Sequence, residues 1–539
     1  MGEASGFRRL LYRTPAYRWM LGPRRPVDVA VPLSPIWPGD SARGRALIDG
    51  ELALGGRTFT IKEPGWAPPD APAAWRAALD GFDWLSDLRE LGGDLGRRRA
   101  RDLVGHWLDR HERWDPLAWR PDVAGRRIAA WLSHYGFFCA SADDDFRERA
   151  IDSLFRQARH LARVIPDAER GASRIAALKG VVLAAIGLTQ LDALLAPALR
   201  QLESELTAQV LADGGHASRS PSVHLAVLRD LIEMRQALRL ARFAPPQSLS
   251  HAIEAMAAML RYLRHGDGGL ALFNGSHEEP AALVEAVIQQ SESRPRLAVA
   301  APDFGIERLQ AGRTVVFVDC GRVTALDGAA HAGPLSFELS IGRERLIVNL
   351  GGAGLLPGEW GEAQRATAAH SALTIEDTNA VRLEDKGNPA LVAARREDAD
   401  GQVWLDAHHE GYADRLGVSH RRRLYLSADG EDLRGEDILT GGGGRAFTLR
   451  FHLHPRVQVS LAQNAAAALL RLPSGAGFRL RASGGRLGLG EAVYLGRLGE
   501  MKRTQHISVT GTLLDGETIL KWALRREGRR LGPGQPLSG

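Results

Sequence analysis

The feature that most constrains this chain is a change of apolar period partway along it. From about residue 70 to 290 apolar residues recur with helical spacing. Ile128, Trp131, Leu132 and Tyr135 fall at i, i+3, i+4 and i+7; Ile151, Leu154, Phe155 and Ala158 repeat the pattern; Val227, Leu231, Met234 and Leu238 form another stripe. Breaks such as Ile165-Pro166-Asp167, Asp213-Gly214-Gly215 and Ala244-Pro245-Pro246 divide the run into helix hairpins. Beyond about residue 304 the period becomes two. Phe337, Leu339 and Ile341 alternate with Ser336, Glu338 and Ser340, and Phe447, Leu449, Phe451 and Leu453 alternate with Thr448, Arg450, His452 and His454. The expectation is an antiparallel β domain of two packed sheets after a helical one, joined by a linker over Ser291 to Pro302. The boundaries read as an N-terminal arm over 1–70 packing on the core, a helical domain over 71–300 and a β domain over 304–535.

Composition narrows the function classes. A 44% hydrophobic chain buries a core large enough to exclude disorder as its main state. A net charge of +5 is too thin for a nucleic-acid binder, though it leaves room for a local basic cleft. With only Cys139 and Cys320, no disulfide framework or cysteine zinc site is available. The N-terminus has no signal-peptide core, and the apolar stretch Gly180 to Leu188 falls far short of the roughly 20 residues that span a bilayer. A soluble, cytoplasmic protein is expected, with the periplasm as the alternative. No phosphate-binding loop or nucleophile elbow is present, and Gly441 to Gly444 follows no βα pattern.

Candidate chemistry sits in four places. Asp213 to Pro221 (DGGHASRSP) displays His216 and Arg219 on a loop before a helix carrying His224; it reads as a cationic lip for an anion or as a loop satisfying its own backbone. Tyr262 precedes a second loop, in which Asn274 and His277 can hydrogen-bond a sugar or carboxylate, or simply cap a turn. His331 precedes a strand, and Asn349 ends the next one. Farther on come His370, His409 and Tyr412. Any single histidine is more often structural than a ligand, and clustering of His331, His370, His409 and Tyr412 would reverse that.

On these residues the chain resembles the heparinase II/III family of polysaccharide lyases. The match runs nearly end to end: Gly81-Phe82-Asp83-Trp84-Leu85 and Trp107, then DGGHASRSPSVHLAVLRDL, HAGPLSFELSIGRERLIVNLGG, AAHSALTIED and HHEGYADRLGVSHRRRLYL. The resemblance implies an (α/α) toroid of helix hairpins over 71–300, an antiparallel β-sandwich over 304–535, and cleavage of acidic, uronate-containing polysaccharides by β-elimination. Departures stand beside it. Ala172 and Ser173 replace an Asn-His pair, Val223 replaces a tyrosine before His224, and His331 keeps only the second histidine of a His-x-His-x-Asp pattern. Asn349 stands at the position of an aspartate that holds a metal in part of the family.

Elimination needs charge relief on the carboxylate, a base at the α-proton and an acid at the leaving oxygen. By residue chemistry the candidates for proton transfer are His331, Tyr262, Tyr412 and His224, and those for substrate binding are His216, Arg219, Asn274, His277, Asn349 and His409. On loops and strand ends, these are placed to line a cleft between the domains. No cofactor is expected; His331 and His370 are weak metal candidates lacking a carboxylate. The expected partner is an acidic polysaccharide, either cleaved by a lyase or held by a non-catalytic binding or assembly protein on the same fold.

Overall fold

Asp143 shows how the helical region is punctuated. Its carboxylate accepts the Phe146 N–H at 2.9 Å, and Asp144 and Asp145 follow in the first turn of helix Asp144–Val164, whose last turn carries Arg163. The helix buries the predicted stripe Ile151, Leu154, Phe155 and Ala158. The computed structural model describes residues 8–61, 66–111, 113–293, 298, 300–322, 330–352, 359–382 and 392–528. Residues 294–297 and 299 of the expected linker, and Ala329 beside His331, lie outside these.

The chain divides into two compact units. One comprises 1–217, 223–258 and 286–295; the other comprises 218–222, 259–285 and 296–539. A single cut near residue 300 therefore does not describe the division, because two short segments from the helical region join the β unit.

The helical unit is organised around aromatic residues. Phe82, in the left-handed region at φ +62°, ends helix Ala73–Gly81 and packs on Trp66, Trp84, Trp107 and Trp131 at centroid distances of 4.7–6.2 Å. Asp80 accepts the indole N–H groups of Trp66 and Trp107 at 2.8 and 3.1 Å. Arg127, fully buried, donates to Gln157 and to the Asp80 and Ala118 carbonyls, and lies 4.0 Å from the Trp107 ring centroid. The Gly81 to Leu85 motif and Trp107 are thus core-building residues.

Helices Pro121–Ser133 and Ala172–Gly187 touch backbone to backbone. A Cβ on Gly125 would lie 2.3 Å from the Ala176 carbonyl oxygen, and one on Gly180 2.5 Å from Gly125 Cα. Gly180→Val is expected to cost about 1–3 kcal/mol through overpacking, read as a lower urea midpoint. Gly136→Ala, where a Cβ meets nothing within 4 Å, is the control and leaves the midpoint unchanged or slightly raised.

Strands β1 (Glu51–Leu54) and β2 (Arg57–Thr60) form a hairpin in the helical unit. In the β unit, one sheet contains β3 (Ile306–Ala311), β4 (Thr314–Asp319), β5 (Phe337–Ile341), β6 (Glu344–Val348), β7 (Leu373–Ile375), β12 (Ala446–Leu453), β16 (Arg486–Tyr494) and β17 (Lys502–Thr512). Its order is β16-β17-β12-β6-β5-β4-β3, with β7 on β12. The other contains β8 (Val392–Ala399), β9 (Gln402–His409), β10 (Ser419–Leu426), β11 (Asp432–Thr440), β13 (Gln458–Leu461), β14 (Ala468–Arg471), β15 (Gly477–Ser483) and β18 (Glu517–Arg526), in the order β13-β14-β15-β18-β11-β10-β9-β8. Their inner faces share one core, with Val316, Phe337, Leu339 and Phe451 among the same buried cluster as Leu405, Leu424, Leu433 and Leu524.

β5 departs from the expected half-buried strand. Ser336, Glu338 and Ser340 are as buried as their apolar neighbours. The reason is segment 259–285, which supplies partners on that face: Glu338 accepts the Leu272 N–H at 3.0 Å and faces His265 Nε2 at 3.0 Å, while Ser340 Oγ lies 2.8 Å from His265 Nδ1.

Candidate functional site

Asn274 is the residue on which the β unit's polar cluster is assembled. It adopts φ +48° just before Gly275 at φ +72°. Its amide donates to the Arg219 carbonyl at 3.0 Å and its side-chain oxygen accepts the His331 N–H at 3.2 Å. The Gly275 N–H then donates to His331 Nε2 at 2.9 Å. Ser276 Oγ lies 3.0 Å from Ser220 Oγ and accepts the Ser222 N–H at 3.1 Å. Gly352 seals the turn: its N–H donates to the Ser276 carbonyl, and a Cβ there would lie 2.2 Å from the Gly275 carbonyl carbon.

His331 stacks on His370 with centroids 4.7 Å apart and planes tilted 36°. Burial pushes the His331 pKa down to about 3, with Arg365 adding to the effect. His370 is held well below the ordinary value by burial and by His331, against a weaker pull from the Gln364 carbonyl. Both rings are neutral at pH 7. Because Nε2 of His331 accepts a backbone N–H, its proton sits on Nδ1, which has no hydrogen-bond partner among the described residues. The lone pair a general base would use is already occupied.

Most of the remaining expected site residues are buried and bonded within the chain. Arg219, expected on a substrate-facing lip, is only 3% exposed. At φ +56° it turns its guanidinium onto Asp319 and the carbonyls of Phe304, Gly305 and Arg322. It clamps the chain before β3 to the end of β4. His216, expected on the same displayed loop, is buried in the helical unit, with a pKa pushed to about 3 by burial and by His224. His224 is fully buried, its Nε2 donating to the Met256 carbonyl at 2.8 Å, and burial pushes its pKa to about 4.

The two tyrosines expected to move protons are core residues. Tyr262 donates its hydroxyl to the Ile306 carbonyl at 3.1 Å and accepts the Arg308 N–H at 2.9 Å. Tyr412 donates to the Leu373 carbonyl at 2.8 Å. Burial raises the pKa of both phenols above the ordinary value, so neither ionises near neutral pH.

Asn349 is fully buried; its oxygen accepts the Ser371 N–H at 3.0 Å and its amide lies 3.5 Å from Glu338. His409 accepts the Gly411 N–H through Nδ1 and faces His420 through Nε2, both at 3.1 Å. His277 is half-buried and lies 3.1 Å from Glu279. The histidines therefore form separate groups, His331 with His370 and His409 with His420 and Tyr412.

A metal does not fit these residues. Among the described residues no group of three or more His, Cys, Asp and Glu is arranged to hold an ion. Asn349, where a carboxylate would be needed beside His331 and His370, spends its oxygen on the backbone.

One surface escaped the sequence reading. On the second sheet's outer face, Trp404, Tyr425, Arg434 and Arg481 line a groove of about 540 Å³. The signal was the period-two pattern in β10, which turns Arg421, Arg423 and Tyr425 away from the core.

Comparison with known proteins matches both halves of the chain. Residues 108–294 fit the family model Heparinase II/III N-terminus, and residues 293–523 fit Heparinase II/III-like, C-terminal. FtsZ-localized protein C of Caulobacter vibrioides is 34% identical over 475 residues, covering 82% of this chain and 81% of its own length. Among solved structures, heparinase III superposes with a TM-score of 0.73 at 13% identity, over 97% of this chain and 91% of its own. A heparan sulfate lyase HepC mutant from Pedobacter heparinus gives 0.64 at 16% identity, over 96% and 88%. The architecture is the (α/α) toroid plus antiparallel β-sandwich expected from the sequence. Among the described residues no helix is long and apolar enough to cross a membrane.

Proposed function

The chain belongs to the heparinase II/III-like family, and from that premise we propose that it holds an acidic polysaccharide without cleaving it. The observation that carries this reading is the state of the proton-transfer candidates. His331, His224, Tyr262 and Tyr412 are all buried, and each has a ring nitrogen or hydroxyl engaged with the backbone. Elimination requires a base whose lone pair reaches the α-proton and an acid that reaches the leaving oxygen. Neither is offered by these side chains. The relative from Caulobacter is, by its name, localized with FtsZ, and a place with FtsZ is the location we assign to this chain.

A second reading, β-elimination of a uronate polysaccharide, is favoured by the cluster of Asn274, His331 and His370. It pairs an amide with two neutral imidazoles, the residue types that relieve a carboxylate and move a proton.

The two readings separate in one experiment. Purified protein is incubated with heparan sulfate, hyaluronan, polygalacturonate and alginate, while binding is followed by calorimetry and cleavage by the ultraviolet absorbance of the unsaturated uronate. Binding with no absorbance is expected. Absorbance that disappears in His331→Ala would establish the second reading instead. A fluorescent fusion that fails to coincide with FtsZ in dividing cells removes the assigned location.

A further inference from the structure

The outer face of the second sheet carries a row of side chains that the core does not use. Register places Trp404, Tyr425, Arg434, Ala523 and Arg481 side by side across β9, β10, β11, β18 and β15. The next row on the same face runs Asp406, Arg423, Glu436, Lys521 and Ser483. Ala523 is the small residue between Arg434 and Arg481. Two strand spacings, roughly 10 Å, separate the backbones of these arginines and leave a groove floor between them. The cavity there is about 540 Å³.

Trp404 is 38% exposed in the middle of a strand, its ring 5.3 Å from Tyr425. The Arg434 guanidinium lies 5.6 Å from the Tyr425 ring centroid on the other side. The exposed indole, with the half-buried phenol tilted 51° beside it, presents an apolar aromatic face at the surface. Charge is added by Arg423, Arg434, Arg481, Lys521 and Arg525, against Glu436 as the lining carboxylate.

We infer that this groove binds a linear acidic polysaccharide, with a pyranose ring stacked on Trp404 beside Tyr425 and the carboxylate or sulfate groups of the chain held by Arg434 and Arg481. The inference rests on the proposed glycan-holding function and names the surface that performs it. Three features select this ligand class. The C–H face of a sugar ring suits the exposed Trp404 indole, and the Asp and Glu side chains of an acidic peptide carry no such face. The arginines are spaced, as in a chain where charged and uncharged sugars alternate. Glu436, 3.1 Å from Arg423 and 3.3 Å from Lys521, and Asp432, 2.7 Å from Arg434 and 2.9 Å from Arg525, are carboxylates among the cations. They accept hydrogen bonds from sugar hydroxyls but repel a strand bearing a phosphate at every residue.

The test uses the full chain and a double variant, Trp404→Ala with Arg481→Glu. Both side chains are exposed, and among the described residues Arg481 makes no ion pair, so the thermal midpoint stays within about 2 °C of wild type. Heparin and hyaluronan fragments of defined length are the probes, with polyglutamate and oligothymidylate as polyanions of the other classes. The expected result is glycan binding that the double variant weakens about tenfold or more, and that weakens with added salt. Equal glycan affinity in variant and wild type overturns the groove and leaves the glycan-holding function standing. Absence of glycan binding to wild type overturns both. Tighter binding of polyglutamate or oligothymidylate assigns the groove to a peptide or a nucleic acid and overturns the inference.

Discussion

Arg219→Ala is expected to lower the stability of the β unit by about 3–5 kcal/mol, because it removes one partner of a buried ion pair and leaves the other uncompensated. Asp319 is 2% exposed and its partner 3%. The guanidinium also serves the Phe304 carbonyl at 2.7 Å and that of Gly305 at 3.3 Å. Those carbonyls lose their donor in the same substitution. Gly321 gives the site its shape, since a Cβ there would lie 2.2 Å from the guanidinium. Chemical denaturation followed by circular dichroism measures the loss. Arg421→Ala, which removes an exposed partner of Asp406, is the comparison and costs at most about 1 kcal/mol. Wild-type stability in Arg219→Ala, combined with lost glycan affinity, would return Arg219 to the role of a substrate clamp.

The second large effect is expected at Asp437. This carboxylate is fully buried between the sheets, accepts Arg422 Nε at 2.7 Å and the Trp522 indole N–H at 3.0 Å, and lies 2.8 Å from His420 Nε2. Asp437→Ala leaves the buried guanidinium without a counter-charge, and about 3–5 kcal/mol is lost. Asp437→Asn keeps acceptor capacity and recovers part of it.

The pH dependence has a definite sign. Burial alone would raise the Asp437 pKa, but Arg422 and His420 hold it far below the ordinary carboxylate range. Its contribution is therefore complete above the unfolded value of about 3.9 and is lost as pH falls below it. Histidines act earlier. Burial depresses His331, His216 and His224 to between about 3 and about 4, and depresses His420 despite the pull of Asp437. They remain neutral in the folded chain while the unfolded chain takes up protons below about 6.5. The thermal midpoint of the wild-type chain falls as pH is lowered from 7 to 4. In Asp437→Ala that loss persists, whereas the further loss below about pH 4 is reduced.

The helical and β textures were legible because each element's apolar period depends on neighbours a few residues away. Ile151, Leu154, Phe155 and Ala158 occupy one buried stripe. Along β12, Phe447, Leu449, Phe451 and Leu453 are buried, as the period of two requires. What local pattern does not contain is coverage by distant chain. Arg219 reads as a displayed cation until Asp319, one hundred positions later, is placed against it. Glu338 and Ser340 read as the wet face of β5 until His265 is brought to them. The same limit applied in reverse to Trp404 and Tyr425. The period of two turns Tyr425 outward, but only the register of β9 with β10 sets Trp404 beside it.

The bond from the Gly275 N–H to His331 Nε2 decides which nitrogen of that imidazole carries the proton. Substitutions elsewhere in the chain leave the imidazole committed to its tautomer by a peptide group that no side-chain exchange compatible with the turn removes. Only proline at 275 removes that donor, and its ring forbids the φ of +72° found there. Freeing Nε2 means re-routing the 274–276 turn. In this chain the tautomer of His331 is written in the main chain, where comparison of side chains does not look.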